Sequence, residues 1–132
     1  MAGLGATGLE RVLPVGSDVY VALHTGEVVI STETGTEVSY SGYARVAFDD
    51  WKTNVGATSV TRTNNTAIVF PAVADGKVTV RWWAIWDAAV AGNLIAAGPI
   101  MSAGIAVEEE CGPGDQFRFS AETLSLTVED GV

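Results

Sequence analysis

The chain has 132 residues, 48% of them hydrophobic, with 16 acidic and 7 basic side chains and a net charge of −9. That is one domain of ordinary size, able to bury roughly two thirds of its unfolded surface, and too apolar for a disordered segment. The scattered cations argue against nucleic acid or an anionic membrane as partner. The single cysteine, Cys111, excludes an intrachain disulfide and a multi-cysteine zinc site.

The first stretch, MAGLGATGLERVLP, has no basic leader followed by a long apolar core, so no secretory signal is expected. No run of about 18 apolar residues exists to span a bilayer. Thr7 can cap a short helical turn over residues 8–13, ended by Pro14. A turn that short needs packing to be stable. Residues 1–17 therefore read as an arm that docks on the domain or on a neighbour through Leu9, Val12 and Leu13, with residues 18–132 forming the folded domain.

Thr, Val, Ala and Gly dominate, the composition of a β protein with tight turns. Period-two alternation predicts strands over 18–24 (DVYVALH), 43–48 (YARVAF), 58–63 (TSVTRT) and 66–70 (TAIVF), the last two split by the turn-forming Asn64-Asn65. Further strands are expected over 77–86, 93–98, 115–120 (DQFRFS) and 123–129 (TLSLTVE). Residues 26–42, rich in Thr, Ser and Gly, read as a long surface loop with a short strand at 27–30. Short strands with turn signals about every 8 to 12 residues indicate a sandwich or barrel.

The run RWWAIWDAAVAGNLIAAG carries three of the four tryptophans within five positions. Strand alternation sends Val78, Val80, Trp82, Ala84 and Trp86 to one face, and Thr79, Arg81, Trp83, Ile85 and Asp87 to the other. The first set is a core face. On the second, Trp83 and Ile85 need a cover, and the expected cover is protein: the N-terminal arm or a second subunit.

Catalytic groups are sparse. His24 is the sole histidine, and no nucleophile elbow accompanies it. Neither Asp49-Asp50 nor Glu108-Glu109-Glu110 has the alternating oxygen ligands and central Gly of a calcium loop; the glutamate run reads as a solvated turn. Cys111 has acidic sequence neighbours, which disfavour a reactive thiolate. No enzyme, cofactor or metal site is expected. Trp51, Trp82, Trp83 and Trp86, with Tyr20, Tyr40 and Tyr43, leave a glycan-stacking module as a further reading.

Five segments, VYVALHTGE, TGTEVSYSGYARVAF, TNNTAIVFPA, VRWWAIWDAAVAGNLIAAGPI and GDQFRFSAETLSLTV, taken in order, resemble a family of small tailed-bacteriophage virion proteins. These are described as tail-fibre-like, head-fibre or capsid decoration proteins. The resemblance spans residues 19–128 and rests on positions such as Leu23, His24, Thr25, Tyr43, Arg45, Trp86, Asp87 and Asn93. It departs at Tyr40-Ser41, at Ala91-Gly92 where the pattern has Gly-Gly, and in the short Gly/Ala-rich leader.

The resemblance implies a non-enzymatic building block in which His24, Arg45 and Asp87 are buried or half-buried polar fixtures. The combined expectation is an all-β, jelly-roll-like β-sandwich of about eight to ten short antiparallel strands with a short N-terminal arm. It self-associates, as a homotrimer, through Trp83 and Ile85. Made in the host cytoplasm, it sits on the outer surface of the phage head as a cement protein on the major capsid protein. The alternative is a tail-fibre or tail-tip module that joins other tail proteins and contacts the host.

Overall fold

The computed structural model describes residues 18–55, 59–102 and 104–129. Among them are thirteen short strands and no helix. They are β1 (Val19–His24), β2 (Val46–Phe48), β3 (Trp51–Val55), β4 (Ser59–Asn64), β5 (Ile68–Val69) and β6 (Val78–Val80). Next come β7 (Trp82–Trp86), β8 (Leu94–Pro99), β9 (Met101–Ser102) and β10 (Ile105–Ala106). β11 (Glu109–Cys111), β12 (Arg118–Phe119) and β13 (Ser125–Glu129) complete the set.

The all-β class expected from composition holds, with more strands than the eight to ten foreseen. The run over 77–86 divides at Arg81 into β6 and β7, and the stretch after β8 folds back as β9, β10 and β11. The glutamate run is not a turn: Glu109 and Glu110 lie in β11, opposite Val80 and Thr79 of β6. Strand β3 (WKTNV) has no clear apolar alternation, and it forms because β4 pairs with it along its whole length. The predicted helical turn and the arm of residues 1–17 lie outside the described residues.

Two compact units divide the chain. Among the described residues, one is built from Asp18 with 48–55, 59–68 and 118–129, the other from 19–47, 69–102 and 104–117.

In the first unit, β4 is the middle strand of an antiparallel sheet of order β13-β4-β3. Asn64, at the end of β4, is fully buried. Its Nδ2 donates to the carbonyls of Thr66 and Ser120, both at 2.9 Å. Its Oδ1 accepts from the N–H groups of Thr123 and Leu124 at 3.1 and 2.9 Å. One amide thus bonds four backbone groups in two turns, and the Ser120 carbonyl also accepts from the N–H and the hydroxyl of Thr123.

In the second unit the four-stranded sheet runs β2-β1-β7-β8, with β7 antiparallel to both neighbours. Register places Leu23 opposite Trp83 and Val21 opposite Ile85, and these pairs share one face. Ala22 opposite Ala84, and His24 opposite Trp82, share the other. Ile85 is completely buried and Trp83 is 8% exposed within this single chain. The indole of Trp83 lies over Gly98 of β8, where an added Cβ would come within 2.9 Å of the ring.

The burial of Trp83 and Ile85 therefore calls for no second molecule. The opposite face, taken from sequence as the plain core, is the one that the 25–37 segment covers. Val28 of that segment is buried against Ala22, Ala84 and Trp86, so the expected surface loop has an inner side.

Asn64→Asp should remove two donors while leaving the carbonyls of Thr66 and Ser120 in place. The expected loss is about 2–3 kcal/mol of unfolding free energy in urea titrations. A change below half a kcal/mol would show that these turns hold themselves.

Candidate functional site

The densest polar grouping in the second unit surrounds Arg45. Its Nε and Nη2 reach the Glu37 carboxylate at 3.1 Å each, a bidentate pair. Its Nη1 donates to the carbonyls of Ala88 and Ala91 at 2.9 and 2.8 Å. The guanidinium carbon lies 4.6 Å from the centroid of the Trp86 ring, over its face. The Arg45 side chain is 8% exposed and that of Glu37 26%.

Arginine suits this position because a planar fork with five donors can serve a carboxylate, two carbonyls and an aromatic face together. Tyr43 completes the group: its hydroxyl donates to Glu37 Oε2 and accepts from the Leu23 N–H at 3.2 Å. Burial and the hydrogen bond to Glu37 push the Tyr43 phenol far above its ordinary range, so it stays a donor at any physiological pH.

His24 closes the cluster. It is 1% exposed, and its ring stacks on Trp86 with centroids 6.2 Å apart and planes 27° apart. The small residues Ala22 and Ala84 leave room for that contact on the sheet face. Burial, the largest influence, lowers the His24 pKa below 6.5; Glu37 and the Thr36 backbone act the other way, and Arg45 lowers it further.

Asp87 stands at the end of β7 and is exposed. Its carboxylate accepts from the Asn93 N–H at 2.7 Å and from Asn93 Nδ2 at 3.0 Å. Those bonds, the backbone one first, hold its carboxyl below the usual range. Across the connection, Glu33 accepts from the Leu94 N–H at 2.6 Å.

The structure thus brings His24 and Arg45 into one cluster and leaves Asp87 at the rim. Glu33 is a partner that no sequence signal pointed to, because its role depends on the 25–37 segment crossing the sheet. Leu9, Val12 and Leu13 lie outside the described residues.

Chemically the cluster is closed. Every acceptor on Glu37 faces Arg45 or Tyr43, and the imidazole is buried. No group of three or more His, Cys, Asp or Glu able to hold a metal ion occurs among the described residues. Cys111 is buried, and burial with Glu109 and Asp115 nearby raises its thiol pKa. Trp51, Trp83 and Trp86 are buried and Trp82 is half-buried, so the indoles fill the interior instead of lining an open stacking face.

A family model described as Podophage GP4 fiber I protein gp80 matches residues 9–127 of the chain. No curated protein matches it.

Arg45→Met should keep the stem and remove the fork, stranding Glu37 and two carbonyls. The expected cost is about 2–4 kcal/mol, at the lower end for a broken ion pair because Glu37 keeps some water contact. Chemical denaturation read by tryptophan fluorescence measures it. Trp83→Ala should cost about 3–5 kcal/mol as a core truncation, and the loss should persist at concentrations low enough to separate subunits. A loss confined to high concentration would make Trp83 an interface residue.

Proposed function

The chain belongs to the podophage fiber I protein family and is a structural component of a phage virion, and from that premise we propose that it is a non-enzymatic fibre module. The module assembles with copies of itself, three-fold, and with neighbouring virion proteins. It sits on the tail side of the particle, where fibres reach toward the host surface. Membership over residues 9–127 is the observation that carries this reading.

The site geometry supports it. Each strongly polar buried group in the Arg45 cluster is spent on holding segments in place, and the one imidazole is shielded from solvent. Such a chain works through contact, not turnover. Exposed apolar side chains supply contact surface: Val29, Ile30, Val90, Met101 and Ile105 all stand open to water. The head-surface cement role expected from sequence is the competing outcome of the same test.

Gold-labelled antibody against the chain, imaged on intact virions, distinguishes the two. Label confined to the tail, at a few copies per particle, is the expected result. Label spread over the whole head, in proportion to the major capsid protein, would establish the cement role instead.

A further inference from the structure

Residues 25–37 form a strap across one face of the second unit's sheet. Its two ends are tied beside His24. The Thr25 N–H donates to the Thr36 carbonyl at 2.9 Å, and the Val38 N–H to the Leu23 carbonyl at 2.9 Å, with His24 bridged to Glu37. Its middle closes on itself through Val29 and Thr34. Glu33 ties it to the Leu94 N–H. Val28 alone among residues 27–36 is buried, at 1% exposure, and it packs on Ala22, Ala84 and Trp86.

The strap rests on the imidazole. An added Cβ at Gly35 would lie 3.1 Å from His24 Nδ1 and 3.1 Å from Val28 Cγ2, so the strap backbone passes directly against the ring. Neither ring nitrogen makes a hydrogen bond of full geometry among the described residues, and the Thr36 carbonyl is the one backbone acceptor that favours the protonated ring. Burial favours the neutral ring in this setting, since taking a cation out of water is costly.

The surrounding groups offset burial only in part: Glu37 and the Thr36 backbone favour the protonated ring, Arg45 opposes it, and burial outweighs them. Glu37 is already matched by Arg45 and capped by the Tyr43 hydroxyl. Arg45 is itself a cation, held over the Trp86 ring on which His24 stacks. Outside the ring, Arg81 donates to the Thr25 carbonyl and pairs with Glu108, so its charge is also engaged.

We propose that His24 is an acid-sensitive latch: protonating it lifts the 25–37 strap and exposes the apolar face made by Ala22, Ala84, Trp82 and Trp86. Between its tied ends the strap is held by the Val28 contact and the Glu33–Leu94 bond, with the rest of residues 27–36 exposed, a pattern that favours local opening over global unfolding. Lifting it gives the imidazole access to water.

The sign follows from linkage. The closed state holds the His24 pKa below 6.5, chiefly through burial, while the open state returns it to about 6.5. Above that value neither state binds the proton and the strap is fully held. As pH falls below it, the open state takes the proton first, and the closed state loses stability until its own lower pKa is reached. One proton corresponds to about a tenfold change in the opening equilibrium per pH unit across that window. Because His24 is the only histidine, the dependence has a single source.

Hydrogen exchange read by mass spectrometry on the intact chain, between pH 7.5 and 5.0 and corrected for the intrinsic rate, tests this. Peptides covering residues 25–38 should lose protection about tenfold per unit below pH 6.5, while peptides of β4 and β13 stay unchanged. In His24→Gln the dependence on pH should vanish. Equal acid sensitivity in that variant, or a flat profile in the natural chain, would overturn the proposal. Should His24→Gln not fold, proton NMR of the His24 ring in the natural chain decides: its titration midpoint must coincide with the loss of protection, and separate midpoints refute the latch.

Discussion

A β-strand with large apolar side chains on both faces has to be covered twice, and β7 imposes that demand on the second unit. Trp83 and Ile85 fill one face together with Val21 and Leu23. Trp86 and Ala84 occupy the other, where Val28 of a strap of mostly polar residues packs on them. A polar strap gains little from burial on its own. It stays because Arg45 binds Glu37 at the strap's end, the connection after β7 through two carbonyls, and the indole of Trp86 beneath. Three separate chain segments thus meet at one guanidinium.

How much of this can be read from sequence depends on the range of the signal. Alternation is local, so β1, β4, β8 and β13 fall close to their expected positions. β12 shrinks to Arg118–Phe119 and β2 to Val46–Phe48; ahead of β12 the carbonyls of Asp115 and Phe117 still accept from Val73 and Phe70, as single bonds outside a strand. Two misreadings share a cause. The glutamate run was read as solvated, and so it is, but an exposed strand and an exposed turn have the same composition when the pairing partner lies about thirty residues away. Likewise the 26–42 stretch reads as a surface loop with a short strand at 27–30, since its two inward valines, Val28 and Val38, lie ten positions apart with no periodicity to announce them.

The polar pins were the least legible. Asn64 and Asn65 look alike in sequence, both suited to a turn. In the fold, Asn64 is wholly buried with all four of its hydrogen-bonding sites used, whereas Asn65 lies outward, bonding Asp50. The difference is set by segments that arrive about sixty residues later. For Arg45 and His24 the family pattern marked the positions, though not the geometry, and the strap's crossing decides which carboxylate Arg45 meets.

Backbone strain shows where this organisation is directed. Ala91 and Glu33 both hold positive φ angles, 56° and 54°, which cost non-glycine residues of order 1 kcal/mol or more. Both sit where the Arg45 cluster and the strap fasten the connection between β7 and β8: Ala91 offers its carbonyl to Arg45, and Glu33 takes the Leu94 N–H. The fastened connection presents Val90 with 83% of its surface in water. A flexible loop could shed that exposed side chain inward at lower cost. Holding it outward on a braced, strained turn suits the contact role proposed for the module, since a contact residue fixed in advance loses little entropy when a partner arrives.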